Sequence, residues 1–227
     1  MRDVGENRIG NNDQRSVKTV IETYRVQASI LLVWLFHLSA VIGSVLGHSE
    51  WFISLTPLNL GLSAALVLFN IPRKAWLTLL IPFVIGFVSE WLGVNKGYIF
   101  GDYSYGENLG LKWQGVPWMI GVNWALLVFA THAIASRFSK SEWGIAIVAS
   151  SLMVALDVLM EQCAPAMDYW QFAGGVVPLQ NYLGWFSVSM AAHLLFARFM
   201  SEKKHALGVH IYFAFAFFFF TYWLILV

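Results

Sequence analysis

Glu90-Trp91-Leu92-Gly93-Val94-Asn95-Lys96-Gly97-Tyr98-Ile99-Phe100-Gly101-Asp102-Tyr103-Ser104-Tyr105-Gly106 is the stretch that decides how this chain is read. It opens with a carboxylate at the end of an apolar run of membrane-spanning length. It continues as a loop of glycines, aromatic rings and a second acid. A charge at bilayer depth costs about 2.5–3.5 kcal/mol on insertion scales, so a glutamate in a span calls for a use.

The composition around this stretch points the same way. Of 227 residues, 58% are hydrophobic and 12% charged, where a soluble domain is nearer a quarter charged. Mean hydropathy is +0.63. The reading is an all-α integral membrane protein with about seven spans. Net charge is +1, which implies no nucleic-acid partner. The single cysteine, Cys163, excludes an internal disulfide and any multi-cysteine metal site. Residues 1–26 read as a polar, cytoplasmic N-terminal segment without the features of a cleaved signal. Residues 27–227 read as one transmembrane domain.

The expected spans are 27–47, 51–70, 75–93, 115–136, 142–161, 181–199 and 206–227. Pro82 is a candidate kink in the third, and Gly115-Val116-Pro117 suits the opening of the fourth. Long loops fall at 94–114 and 162–180. With a cytoplasmic N-terminus, twelve of the fourteen Lys and Arg lie inside and only Lys96 and Lys112 outside. The positive-inside rule therefore supports seven spans with the C-terminus outside. Glu50, Glu90, Asp102, Glu107, Asp157, Glu161 and Asp168 fall at outer span ends or in outer loops. A site opening toward the outer half of the membrane is expected. The Phe217–Phe220 run reads as lipid-facing or packing surface.

Three carboxylates are the sharpest chemical signal. Asp157 and Glu161 are four apart and share a helix face. If the third and fifth spans face each other, Glu90 joins them. Carboxyls gathered in a poorly solvated place favour a protonated one beside an ionised one, an acid and a base together. The bland alternative pairs these acids with Lys96 or Lys112, or leaves them as helix-end charges. Asp102 and Asp168 sit among rings, including Tyr103, Tyr105 and Trp170, which can line an apolar slot and stabilise a cation. An interfacial aromatic belt is the alternative there. Asn123 and Asn181 are placed to hold a water or orient a carboxyl, or to join helices. His37, His132 and His193 lie in spans at different depths, without metal-ligand spacing, so no metal site is expected. The last span has no lysine for a retinal Schiff base, and neither a phosphate loop nor a nucleophile elbow is present.

From Glu90 to Tyr105, the order of acid, glycines and rings resembles a bacterial and archaeal family of membrane-embedded carotenoid hydratases. That family comprises γ-carotene/lycopene 1′,2′-hydratases and bisanhydrobacterioruberin hydratases. The likeness continues through Leu109-Gly110, Gly115-Val116-Pro117 and Trp124. It resumes at Asp157 and Glu161, at Trp170, and at Pro178, Asn181-Tyr182 and Gly184-Trp185-Phe186. Lys96 stands where a small hydroxyl residue is commoner, which would put a basic charge beside the site, and Gln162 where proline is commoner.

The resemblance implies cofactor-free addition of water to the terminal double bond of an acyclic carotenoid end. It implies Glu90, Asp157 and Glu161 as the acid–base set. Asp102, Tyr103, Tyr105, Asn123, Trp124, Asp168, Trp170, Asn181 and Trp185 would bind substrate or support the acids. It also implies a lipid-soluble carotenoid and membrane lipid as partners, and the bacterial inner membrane as location. Self-association, or pairing with other carotenoid enzymes, stays open. End-group cyclisation, a proton-coupled transporter and a carotenoid-binding protein without chemistry are the competing readings. The transporter lacks the internal symmetry usual in such folds.

Overall fold

In the computed structural model, the backbone of residues 3–200 and 205–226 is described, and side chains from 19–200 and 205–225. Arg2, Lys203 and Lys204, and the side chains of Arg8, Arg15 and Lys18, lie outside that set. The topology argument leaned on these residues.

Helix α1 runs from Asp3–Gly43 and continues through a π-helical turn, Ser44–His48, into α2, Ser49–Ser54. The helix thus starts far upstream of residue 27. Helix α3 is Thr56–Asn70. The expected second span, 51–70, is therefore broken at Leu55. Pro57 is the cause: its ring would collide with the Ile53 carbonyl, four residues back, in a continuous helix. The Thr56 hydroxyl instead donates to that carbonyl at 2.7 Å. Helix α4, Trp76–Lys96, keeps Pro82 within one continuous element and ends on left-handed Gly97.

Two small ribbons follow. Strand β1 is Tyr103–Tyr105; β2, Lys112–Trp113, pairs with β3, Val116–Pro117. Pro117 is thus the extended residue before α5, Trp118–Ala135, and not its first helical one. Helix α6, Glu142–Cys163, is capped by the Ser141 hydroxyl, which accepts from the Gly144 N–H at 2.9 Å. Strand β4, Trp170–Phe172, pairs antiparallel with β1, in register Tyr103↔Phe172 and Tyr105↔Trp170. The two long loops are therefore a single cap rather than separate excursions. Helices α7, Leu179–Phe199, and α8, Ala206–Leu226, complete the chain.

Among the described residues, five helical segments are long and apolar enough to cross a membrane: Thr19–Ser54, Arg73–Lys96, Trp118–Ala135, Glu142–Cys163 and Ala206–Ile225. The other two expected spans correspond to α3, apolar but 15 residues long, and α7, which is 21 residues long and carries Asn181, Ser189 and His193 inward. Helix α5 is the axis of the bundle, 78% buried, against 33% for the segment containing α4. It packs against α3, α4, α6 and α8.

Helix α4 shows how the bundle is sorted. Leu77, Leu80, Val84 and Val88 are exposed along one stripe, whereas Pro82, Gly86, Glu90 and Gly93 are buried along the opposite one. The glutamate therefore points into protein. The Phe217–Phe220 run divides likewise. Phe220 faces out, while Phe218 and Phe219 are buried in the packing and also border a cavity, so the run holds both of the expected surfaces.

A candidate active site of three buried carboxyls

Glu90, near the end of α4, is 3% exposed. Its Oε2 accepts hydrogen bonds from the Tyr103 and Tyr105 hydroxyls, both at 2.6 Å, and its Oε1 accepts from the Trp124 indole N–H at 2.9 Å. The two phenols come from β1, the indole from α5. Close approach makes this possible. A Cβ on Gly93 would lie 2.6 Å from the Tyr103 hydroxyl oxygen, so only glycine lets that ring reach the acid. A Cβ on Gly184 would lie 2.5 Å from the Ile99 carbonyl. Ile99 itself has φ 71, a conformation a β-branched residue adopts only where its surroundings dictate it. That turn delivers Phe100, 1% exposed, into the site.

The second half of the site lies on α6 and α7. Asn181 Nδ2, in the first turn of α7, donates to Asp157 Oδ2 at 2.8 Å and to Glu161 Oε1 at 3.2 Å. One amide thus ties the two acids together. Glu161 Oε2 accepts from the Trp170 indole N–H at 3.0 Å. Asp157 is fully buried, and its Oδ1 has no hydrogen-bond partner among the described residues.

Glu90 and Glu161 border one narrow cavity with Tyr103, Tyr105, Asn181 and Trp185. Asp157 reaches that cavity through Asn181. Rings form the rest of the enclosure. Trp124 stacks on Trp185 with centroids 4.5 Å apart, and Phe100 lies 6.5 Å from each of them. Burial first, and the Glu90 carboxylate second, hold both tyrosines well above the usual phenol range. They therefore stay O–H donors.

Among the described residues, no cation pairs with these acids. Among the described residues, the one ion pair is Lys112–Glu107, at 2.8 Å on the cap, and Lys96 is exposed. The pairing of the acids with Lys96 or Lys112 is thus not observed. Lys96 does not line the acid chamber. Among the described residues, no group of three His, Cys, Asp or Glu side chains is disposed to hold a metal ion.

Other expected participants lie elsewhere. Asp102 is exposed, and its backbone carbonyl accepts from the Ala173 N–H at 2.9 Å. Asp168 is also exposed, with φ 51, and its Oδ2 accepts from the Glu107 N–H at 2.8 Å, fastening one loop to the other. Asn123 lines a neighbouring cavity rather than the acid chamber. His132 and His193 stack with centroids 5.9 Å apart, so they share one depth. Each stands fourteen residues after the first residue of its helix, a count that reveals the match. Ile120 and Phe172 border the acid chamber and were not singled out as site residues in the sequence. An isoleucine in an apolar run gives no signal.

A helical bundle with carboxyls enclosed by rings and apolar outward stripes describes a membrane protein. The signature of the carotenoid biosynthesis protein family matches residues 52–227, and the chain belongs to that family. A curated relative, the bisanhydrobacterioruberin hydratase of Haloarcula japonica, is 28% identical over 137 residues, covering 56% of this chain and 46% of the relative. The chain spans about half the length of that relative. No solved structure matches.

Proposed function

We propose that this protein is a carotenoid hydratase of the inner membrane that adds water across the terminal trisubstituted double bond of an acyclic carotenoid end. The observation that carries this reading is a cavity bordered by Glu90 and Glu161, walled by aromatic rings and without a basic partner among the described residues. The family membership and the relative's name support it.

Acid catalysis needs a carboxyl that still carries its proton, and acids gathered around one cavity without a cation supply that condition. The Asp157–Glu161 pair is the donor. Glu161 faces the chamber and delivers the proton, and Asp157, held beside it by the shared Asn181 amide, titrates with it as a pair. The Glu161 proton adds to the less substituted carbon of the terminal double bond. The π electrons become the new C–H bond, and the adjoining carbon becomes a tertiary cation. Glu90, both of whose oxygens accept hydrogen bonds, opposes that charge together with the faces of Trp124, Trp185 and Phe100. Water then forms the C–O bond and gives up a proton to Glu90. Proton return from Glu90 to the pair restores the site. One water is added and nothing is oxidised or reduced, so the reaction requires no cofactor.

The topology proposed with it has seven spans, α3 and α7 included, with the cap outside. Arg25, Arg73, Lys74, Arg137, Lys140 and Arg198 then lie at cytoplasmic helix ends. Mass analysis of pigment from a lycopene-producing bacterium expressing the chain tests the reading. A gain of one water per modified end is expected, and none with Glu90→Gln. An isomer of unchanged mass would indicate cyclisation instead.

A further inference from the structure

The acid chamber does not stand alone. Ile120 and Trp170 line it and also line a second cavity. That second cavity shares Thr56, Asn59 and Phe218 with a third. The third is bordered by Leu35, Phe36 and Leu58, all exposed on the outer faces of α1 and α3. The three cavities therefore form a series. It leads from the carboxyls, between Ile120 and Trp170, past Thr56 and Asn59, to the apolar surface between α1 and α3.

We infer that this series is the binding path of a long, thin apolar chain, an acyclic polyene that enters sideways from the bilayer between α1 and α3 with its terminal double bond foremost. The identity of the reacting end rests on the hydratase reading above. The walls carry the rest. Polarity is greatest at the inner end, where Glu90, Glu161 and Asn181 face the space. The middle is walled by Phe215, Phe218 and Phe219. The outer end opens among side chains that a water-soluble ligand would have no reason to meet. A compact ligand would need one cavity, whereas several in line suit an extended one. Trp170 has two duties in this arrangement. Its indole N–H holds Glu161, and its ring frames the opening through which the chain end reaches that acid.

The test uses the full chain in detergent with lycopene as the probe. Ser39→Trp combined with Leu58→Trp narrows the mouth from both sides, and both positions are exposed, so folding is not at stake. Leu77→Trp with Leu183→Trp places two indoles on exposed faces away from the path. Two quantities are read: pigment retained by the purified protein, from its absorbance, and hydrated product. The mouth variant is expected to lower both about tenfold, and the control variant to stay within about twofold of the native chain. If the mouth variant retains and hydrates lycopene as the native chain does, the path is wrong while the acid site stands. If the native chain retains lycopene and the mouth variant does not, yet neither forms product, the path stands and the hydratase reading falls. A native chain that retains no lycopene overturns the path.

Discussion

Two levels of this bundle bury polar side chains, and they are built differently. At the loop end, Glu90, Asp157 and Glu161 take their hydrogen bonds from other elements: phenols of β1, an indole of α5, an indole of β4 and an amide of α7. Deeper in, around the His132–His193 stack, many bonds are local. The Thr131 hydroxyl donates to Leu127 O at 2.7 Å and the Ser136 hydroxyl to His132 O at 2.7 Å, each one turn back. The first level converges on a cavity; the second joins helices. Buried polarity alone is thus a weak guide to chemistry. Convergence of acids and donors from several elements on one space is a stronger one.

Substitutions separate the levels. Glu90→Gln or Glu161→Gln, which keep shape and remove the acid, are expected to cut hydration by about 10²–10⁴-fold, the usual share of general acid–base catalysis. Product quantified by mass at equal protein level checks this. Unaltered hydration in both would place the chemistry elsewhere. Tyr103→Phe with Tyr105→Phe removes two hydroxyl donors from one carboxylate. At about 1.5–3 kcal/mol for each bond to a charged group, the two bonds amount to about 3–6 kcal/mol, so a loss of up to about 10²–10⁴-fold is expected, with Glu90 left in place. The same double variant sharpens the electrostatics. Burial and the Glu90 charge raise both phenols in the folded protein, so that contribution to stability is complete below the unfolded phenol value of about 10 and declines as pH rises above it. Thermal melts at alkaline pH should show a shallower decline in the variant than in the native chain.

Asp168→Ala releases the Glu107 N–H and loosens the joined loops. A loss of about 1 kcal/mol in stability, with hydration reduced a few-fold, is expected in melts and product assays run side by side. His193→Gln should move hydration least, within about twofold, while lowering the melting temperature. A large loss of activity without destabilisation would break the contrast between the two levels and draw the histidine stack into the reaction.

Much of this was legible in the sequence, for physical reasons. Hydropathy located every long helix, because a lipid-facing element must satisfy its backbone internally and present apolar stripes. The acids stood out because carboxylates in apolar runs are costly, and the spacing of Asp157 and Glu161 put both on one face. The β1–β4 pairing was not legible: two three-residue strands show no alternation long enough to read, and one lies in each loop. That pairing fixes which ring meets which acid, so Tyr105 and Trp170 fell on the site while Asp102 and Asp168, equally acidic and equally surrounded by rings, fell on the surface. The break at Leu55 was signalled by Pro57, but hydropathy alone runs straight across it. The cavity neighbouring the acid chamber draws on His37, Thr56 and Asn59, in spans where the family resemblance rested on hydropathy only.

The central claim is that the carboxyls protonate carbon and water captures the resulting cation. The most direct measurement is product mass from lycopene turned over by the purified protein, once in H₂¹⁸O and once in D₂O. Each new hydroxyl should carry ¹⁸O from water, and each modified end one deuterium bound to carbon, with both labels lost in Glu161→Gln. A hydroxyl whose oxygen derives from dioxygen, or one formed with no deuterium on carbon, would contradict the acid-catalysed hydration described here.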